Sequence, residues 1–198
     1  MIDIKKISNS EPFLLMKNMY ESALNNNQKN IEAILIASFD KNKNEVDARY
    51  VNLKSIVDDE LFFFSNYESP KSKQFNSHSQ ISAIFYWSSI NVQIRMKAKI
   101  KKTSKSLSDH HFKNRALSKN ALAISSNQSE KIDSYESVKN KYEKVLKENS
   151  LVHRPDYWGG FVFKPYYIEF WVGDENRLNK REVYEKTSTK WIKYYLEP

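Results

Sequence analysis

Residues 92–101 alternate without interruption between apolar and polar side chains, and this pattern constrains the fold more than any other feature of the chain. Side chains two residues apart lie on the same face of a β-strand, so the alternation predicts a strand with one face in a core and one in water. Such half-buried strands are typical of antiparallel sheets. The apolar positions are Val92, Ile94, Met96, Ala98 and Ile100, and the polar positions are Gln93, Arg95, Lys97, Lys99 and Lys101.

Other short apolar runs, separated by polar turns, Pro165 and Gly173, also indicate strands. Many short strands and few glycines favour a mostly antiparallel barrel with helices packed outside it. We therefore predict an α+β fold of one domain over residues 1–198. The further predicted strands are residues 33–39, 47–54, 61–65, 81–87, 161–164, 167–172, 182–186 and 191–196.

Capping residues and apolar spacing predict helices in the first half of the chain. Residues 1–30 are assigned to an N-terminal helix, with Ser10 as a good N-cap residue. A second helix starts at Ser69 and Pro70, because serine suits the N-cap and proline suits the first helical position.

Two more helices are predicted in the second half, over residues 104–115 and within residues 133–149. The later one is opened by a capping box of Asp133 and Glu136 and has apolar residues along one side. The segment between them, residues 118–131, is rich in Ser, Asn and Lys and is predicted to be a loop.

The chain has no cysteine and only three glycines, which excludes several kinds of site. Disulfides, thiolate nucleophiles and cysteine-ligated metals are absent, and the glycines cannot form a GxGxxG or a GxxxxGK[ST] motif. Rossmann dinucleotide binding and P-loop chemistry are therefore excluded. We also predict no metal site, because the histidines have no ligand spacing; they are His78, His110, His111 and His153.

The N-terminal residues lack the apolar segment of a signal peptide, and no stretch reaches the roughly 18 apolar residues of a membrane span. The formal net charge is +8, which favours association with polyanions, phosphorylated small molecules or acidic surfaces. We expect a cytoplasmic protein that does not enter membranes.

Three basic features are candidates for anion binding. Lys71 lies in the first turn of the helix predicted at Ser69 and Pro70, where free backbone N–H groups and the helix dipole favour a phosphate. Each feature alone is also compatible with an ordinary surface position, and arginines near Trp171 can simply stack on it. The other two features are the pairs Arg49 with Lys54 and Arg177 with Arg181.

Taken together, seven pieces of the chain resemble the pyridoxamine 5′-phosphate oxidase family in order and spacing, from about Glu11 to Pro198. The last three pieces are the most specific. The pieces are Arg49 to Lys54 (RYVNLK), Phe64 to Lys71 (FSNYESPK), Asn91 to Arg95 (NVQIR), Gln128-Ser129, Arg154 to Gly160 (RPDYWGG), Glu169 to Trp171 (EFW) and Arg177 to Arg181 (RLNKR).

The resemblance implies an FMN-binding split β-barrel that works as a homodimer, with flavin sites at the interface and residues 154–198 forming a dimerisation and flavin-site segment. By resemblance, Arg49 and Lys71 hold the FMN phosphate. Others line the flavin: Tyr50, Val51, Asn52, Leu53, Lys54, Phe64 and Ser65. A further set completes the flavin site, some of it from the partner subunit, with Gln128 expected from there: Gln93, Gln128, Ser129, Trp171 and Arg181.

The same resemblance implies a substrate phosphate site and two residues near the substrate ring, of which Arg177 is the candidate catalytic residue. The phosphate ligands are Lys54, His111, Arg115 and Lys119, and the ring neighbours are Arg177 and Asn179. The chain also departs from the family, which usually has Arg, Tyr, Ser, His and Asp at five positions. These are Pro70, His111, Lys119, Asn179 and Lys180.

Three functional hypotheses follow. The first is an FMN-dependent oxidase that converts pyridoxamine or pyridoxine 5′-phosphate to pyridoxal 5′-phosphate with O2. The second is a related flavin oxidase or reductase with another anionic substrate, since the ending Trp191 to Pro198 resembles the flavin oxidases of phenazine biosynthesis. The third is a nucleic-acid binder, because a basic barrel with aromatic residues suits single strands, although no RNP-like motif is present.

Overall fold

The computed structural model describes residues 1–147 and 150–198. Its helices are α1 (Glu11–Asn25), α2 (Pro70–Ser77), α3 (Lys105–Lys113), α4 (Leu117–Ser125) and α5 (Tyr135–Leu146). Its strands are β1 (Asp3–Ile7), β2 (Ala33–Asp40), β3 (Glu45–Asn52), β4 (Ser55–Asp58), β5 (Glu60–Asn66), β6 (Gln80–Trp87), β7 (Val92–Lys102), β8 (Trp158–Val172), β9 (Lys180–Lys186) and β10 (Trp191–Leu196). None of the described helices is long and apolar enough to cross a membrane.

The strands form one sheet in the order β1-β4-β5-β8-β7-β6-β2-β3, and β9 and β10 extend it from β8. The pairs are antiparallel except for β1 with β4, which is parallel. Within the described residues the two ends of this path, β1 and β3, do not pair, so the sheet stays open. The prediction of a mostly antiparallel α+β split barrel with flanking helices is confirmed.

The apolar face of β7 lies in the core, as its alternation predicts. Ile94, Met96 and Ala98 are fully buried. Next to them Phe63 of β5 stacks on Phe161 of β8, with ring centroids 5.4 Å apart. Burial of this face removes apolar surface from water and thereby stabilises the sheet.

β8 is one continuous strand, so the prediction of two strands over 161–164 and 167–172 is wrong. The Pro165 between them lies beside Ala98 at a register shift of the β7–β8 ladder. At such an irregularity the missing N–H of proline does not break the pairing. The long strand carries its first residues along β5 and its last residues along β9.

The predicted loop at residues 118–131 is wrong in its first half, because α4 occupies Leu117–Ser125. Asn120 is fully buried, and its side-chain amide donates to the carbonyls of Phe112 and Leu151, both at 2.9 Å. These partners fix the helix from elsewhere in the chain. The polar composition of the segment does not reveal them.

Two helix boundaries also differ from the predictions. α1 covers only part of residues 1–30, because the unpredicted strand β1 precedes it and pairs with β4, which was also unpredicted. Ser10 is its N-cap but makes no side-chain capping bond. The N-cap of α5 is Ser134, whose hydroxyl accepts from the Ser137 N–H at 3.2 Å, so the Asp133/Glu136 capping box is wrong. Residues 148 and 149 of that predicted helix lie outside the described residues.

Gly160 of β8 lies where no side chain fits. A Cβ there would lie 2.5 Å from Thr103 Oγ1 and 2.9 Å from Phe64 Cε1. We expect Gly160→Ala to lower the free energy of unfolding by about 1–3 kcal/mol, because these neighbours must shift. Urea denaturation measures the loss. An unchanged midpoint and slope would show that the strand makes room freely.

Candidate active site

A cavity of about 420 Å³ opens between the sheet and the α3–α4 segment. A second cavity of about 250 Å³ adjoins it and shares Phe64, Arg115 and Trp158 with it. The two together offer room for a flat ring and its polar tail. The first cavity is lined by Tyr50, Val51, Asn52, Lys54, Phe64, Ser65, Lys71, His111, Arg115, Ala116, Lys119, Gln128 and Trp158.

Positive charge dominates this first cavity. Its described lining contains the cations Lys54, Lys71, Arg115 and Lys119 and no carboxylate. Burial lowers the pKa of Lys54, the charge of Glu32 outside the lining partly opposes this, and the charges of Lys119 and Arg115 lower the pKa further. Cations held close together in a cavity whose described lining has no carboxylate attract an anionic ligand.

One end of the cavity is built around Lys71, in the first turn of α2. The Lys71 side chain is buried, and its Nζ lies 3.2 Å from the hydroxyls of Ser65 and Ser69 and 3.1 Å from Gln128 Oε1. Burial and then the charge of Arg49 lower the pKa of Lys71 to about 8. All three contacts are neutral oxygens, so the ammonium is well placed for a phosphate.

The other end is built around Arg115, which follows α3. Its guanidinium lies over the Trp158 ring, 4.7 Å from the centroid. Its Nη1 is buried without a hydrogen-bond partner among the described residues. Because an unsatisfied buried donor is costly, this nitrogen favours a ligand oxygen. Arg115, Lys54 and Lys119 line the same cavity and lie close enough for their charges to interact, so they are a candidate anion site separate from Lys71.

His111 covers Phe64 between these ends, with ring centroids 3.6 Å apart and planes 5° from parallel. Burial, Arg115 and Lys54 lower the pKa of His111 to about 4. The imidazole is therefore neutral at pH 7 and can still donate a hydrogen bond to an anion.

A second group of predicted residues lies away from the cavity. Gln93, Trp171 and Arg181 are neighbours in one row across β7, β8 and β9. Arg181 Nε donates to Glu169 Oε1 at 2.9 Å, and its Nη1 donates to the Glu197 carbonyl at 3.0 Å. Glu169 is buried and also pairs with Arg95, which holds the end of the sheet together.

The two groups cannot meet within one chain. Gly160 faces Phe64 of the cavity, and Trp171 is eleven residues further along the same strand. An extended strand rises about 3.3 Å per residue, so the two positions lie about 36 Å apart along it. Within one copy, the cavity and the row are two separate groups of residues.

Several predicted residues lie outside the cavity lining. Arg49 donates to Ser38 and Gln74 and pairs with Asp47, behind Lys71. Leu53 is expected to line the flavin, but its side chain is fully buried in the core and does not line the cavity, so that expectation is wrong for the side chain. The others outside it are Gln93, Trp171 and Arg181 of the row, the exposed Ser129, and Arg177 and Asn179 on the loop between β8 and β9.

The expectation that Gln128 comes from the partner subunit is wrong, because its side chain contacts Lys71 and Ser65 of its own chain. The reason is that α4 replaces the first half of the predicted loop, so that the residues after α4 lie beside the first turn of α2, which contains Lys71.

Sequence reasoning missed Trp158 and Ala116 as lining residues. Trp158 stacks with Phe64 at a centroid distance of 5.6 Å and carries Arg115 on its ring. Trp158 belongs to the RPDYWGG piece that resembles the family, so the sequence marks it as a candidate site residue without giving it a role. Ala116 had no signal, because only its position between α3 and α4 brings it to the cavity.

Two protein-family models match this chain. The family model described as pyridoxamine 5′-phosphate oxidase matches residues 22–148. The model described as the pyridoxine 5′-phosphate oxidase C-terminal dimerisation region matches residues 158–198. The matched ranges contain the cavity residues and the row on β8 and β9.

Similar proteins cover nearly the whole chain. The pyridoxine/pyridoxamine 5′-phosphate oxidase of Leptospira interrogans serovar copenhageni is 30% identical over 192 residues, which is 96% of this chain and 89% of that protein. The enzyme of that name from Chromohalobacter salexigens is 32% identical over 194 residues, again 96% and 89%.

Solved structures show the same fold. PhzG from Burkholderia lata 383, in complex with tetrahydrophenazine-1-carboxylic acid, has a TM-score of 0.90 at 23% identity, over 96% of this chain and 93% of that one. A pyridoxamine 5′-phosphate oxidase-related, FMN binding protein from Nostoc punctiforme PCC 73102 has a TM-score of 0.75 at 13% identity, over 92% and 97%. With a family model that matches more than half of its length and relatives at 30% identity or more, this chain belongs to the pyridoxamine 5′-phosphate oxidase family and is an oxidoreductase of that class.

Proposed function

We propose that this chain binds FMN and oxidises pyridoxamine or pyridoxine 5′-phosphate to pyridoxal 5′-phosphate, with O2 as the final electron acceptor. The main support for the proposal is that one cavity has cations at both of its ends and no carboxylate in its described lining. Lys71 lies at one end, and Arg115 lies with Lys54 and Lys119 at the other. The first end suits the phosphate of FMN, and the second suits the phosphate of the substrate. Membership of the family supports the same assignment.

The residues present fit FMN. Lys71 has neutral partners only and is free to pair with a phosphate, and Ser65, Ser69 and Gln128 supply oxygen and nitrogen atoms around it. Arg49 lies close enough to Lys71 for its charge to lower the pKa of the Lys71 ammonium. Bound FMN supplies the redox chemistry, since it accepts a hydride from the carbon that carries the amine or alcohol and passes the electrons to O2.

The protein binds and orients the substrate. Lys54, Arg115 and Lys119 neutralise its phosphate, and the neutral imidazole of His111 donates a hydrogen bond beside them. Arg177 is the candidate catalytic residue over the substrate ring, and Asn179 is its neighbour. Both lie on the β8–β9 loop, near the row of Gln93, Trp171 and Arg181.

A homodimer joins the two groups of residues. The cavity of one copy and the row and loop of a second copy then form one complete site, and a two-fold axis creates two such sites. The C-terminal segment that carries the row matches a family model described as a dimerisation region, which supports this assembly. The cytoplasmic location expected from the sequence stays a prediction.

The second hypothesis also has a specific observation behind it. The structure of PhzG, which has a TM-score of 0.90 to this chain, was solved with a carboxylate-bearing tricyclic ligand. Lys119 and Asn179 both depart from the usual family residues, and both are expected from the resemblance to contact the substrate, although only Lys119 lines the cavity within one copy. An oxidase of another anionic substrate is therefore the alternative. The nucleic-acid hypothesis loses its basis, because the chain belongs to an enzyme family.

The test has two parts. We expect the purified protein to contain FMN, identified by mass spectrometry of the released cofactor, and to run as a dimer in light scattering. With pyridoxamine or pyridoxine 5′-phosphate and O2, it should form pyridoxal 5′-phosphate. FMN without turnover on either substrate would favour the alternative substrate, and no flavin even with excess FMN would contradict the cofactor assignment.

The affinity for FMN should depend on pH through Lys71, whose pKa is lowered to about 8. Below that pH the free protein offers an ammonium to the phosphate, and above it binding must first take up a proton. The phosphate stays dianionic throughout, because its second pKa is about 6. We expect the affinity to fall above pH 8 by at most about tenfold per pH unit. Flavin fluorescence titrations measure it, and a Lys71→Met variant should show no such slope; equal slopes would contradict this origin.

A further inference from the structure

α4 and α5 form a groove with an apolar floor next to the active-site cavity. α5 has no buried residue in its described length, and it packs against α4. Leu122 is 49% exposed and Tyr135 is 73% exposed. The groove has a volume of about 350 Å³ and is lined by Ser118, Lys119, Leu122, Tyr135, Val138, Lys139 and Tyr142. Lys119 belongs to both the groove and the cavity, so the two are contiguous.

The loop between β8 and β9 presents a single apolar tip. Leu178 is 74% exposed and stands between Arg177 and Asn179. Three hydrogen bonds hold the loop: the Asp174 N–H donates to Asn179 Oδ1 at 3.1 Å, the Arg177 N–H donates to the Asp174 carbonyl at 3.1 Å, and the Asn176 N–H donates to Asp174 Oδ1 at 2.8 Å. Arg177 adopts a left-handed backbone conformation with φ of 63°. An ordered loop with an exposed leucine loses little conformational entropy when it docks.

The loop does not reach the groove of its own chain. It follows the last residue of β8, whereas the cavity and the groove lie near the first residues of that strand. The distance of about 36 Å along the strand separates them. A β8–β9 loop that occupies the groove must therefore belong to another copy of the chain.

We propose that, in the homodimer, Leu178 of one copy inserts into the α4–α5 groove of the second copy. This inference rests on the proposed function, because that insertion brings Arg177 and Asn179 to the mouth of the second copy's cavity. The loop carries two carboxylates, Asp174 and Glu175, and one cation, Arg177, whereas the charged residues that line the groove are Lys119 and Lys139, so the carboxylates of the loop match the cations of the groove. An apolar anchor inside a polar rim is the usual arrangement of an interface hot spot.

The natural absence of cysteine allows a clean crosslinking test on the full-length holoprotein. The variant pairs are Leu178→Cys with Ser118→Cys, and Leu178→Cys with Val138→Cys, in the same chain. The controls are Leu178→Cys alone and Leu178→Cys with Leu14→Cys, because Leu14 is 40% exposed on α1, outside the groove. After mild oxidation, non-reducing electrophoresis separates monomers from covalent dimers. Bound FMN is measured in the same samples.

We expect covalent dimers from at least one groove pair and none above the background of both controls. Crosslinking within one chain, or equal crosslinking in the controls, would overturn the proposal. So would the absence of any crosslink in a sample that is dimeric and loaded with FMN, and that result would leave the proposed function standing. A crosslinked dimer that binds no FMN would overturn the proposed function and leave the docking intact.

A second measurement does not depend on disulfide geometry. Leu178→Ser should raise the dimer dissociation constant by about tenfold or more, because the anchor is lost from both symmetric contacts. Leu14→Ser is the matched control and should leave the constant unchanged. Sedimentation equilibrium measures both, and circular dichroism confirms that both variants are folded. Equal dissociation constants for the two variants would overturn the insertion of Leu178.

Discussion

Replacing Lys71 with methionine should weaken FMN binding about a hundredfold, which corresponds to roughly 3 kcal/mol. The buried ammonium has neutral partners only, so the phosphate is the charge that it is placed to bind. Methionine keeps most of the volume of the side chain and removes the charge. Flavin fluorescence quenching on titration of the apoprotein gives the dissociation constant.

Lys73→Met is the matched control for this variant. Lys73 lies two residues further along α2 and is exposed, so its removal changes the net charge equally without touching the cavity. We expect its affinity for FMN to stay within about twofold of the wild type, because exposed charges interact weakly. If both variants bind FMN equally well, the phosphate lies elsewhere.

Replacing Arg115 with methionine should lower kcat/KM for the phosphorylated substrate about a hundredfold and leave the FMN content unchanged. The Nη1 of Arg115 is buried without a described partner, and its loss removes a charge-assisted contact worth roughly 1.5–3 kcal/mol. Lys54 and Lys119 remain nearby and limit the effect. Steady-state assays of pyridoxal 5′-phosphate formation measure it.

Lys113→Met tests whether this effect is local. Lys113 is the last residue of α3 and is exposed, two positions before Arg115. Its variant should keep the wild-type kcat/KM. A loss of FMN in Arg115→Met, or equal losses of activity in both variants, would contradict the assignment of Arg115 to the substrate phosphate.

Most strands could be predicted from the chain itself. The alternation in β7 and the apolar runs of β2, β5 and β6 reflect the pleat of a sheet with one buried face, which each segment carries locally. β1 and β4 were missed because they are short and depend on each other. α4 was missed because it is fixed by the contacts of Asn120 with Phe112 and Leu151.

The chemistry of the site was also readable in part. Lys54, Lys71 and Arg115 were selected by type and by resemblance, and one cavity contains all three. Arg49, by contrast, is not among the lining residues of that cavity and is engaged by Asp47 and Gln74. Sequence spacing cannot tell which cations line a cavity and which are paired with their own neighbours.

The sequence by itself determined the fold class and the residue types of the site, because side-chain periodicity and short motifs are properties of neighbouring residues. Only the tertiary structure decided which residues share the cavity and which form the separate row of Gln93, Trp171 and Arg181. The physical reason is the continuous strand β8, whose length separates the two groups of residues and whose register fixes what each end faces. Burial of Lys71 and His111, which lowers the pKa of both, likewise depends on contacts between segments far apart in the chain.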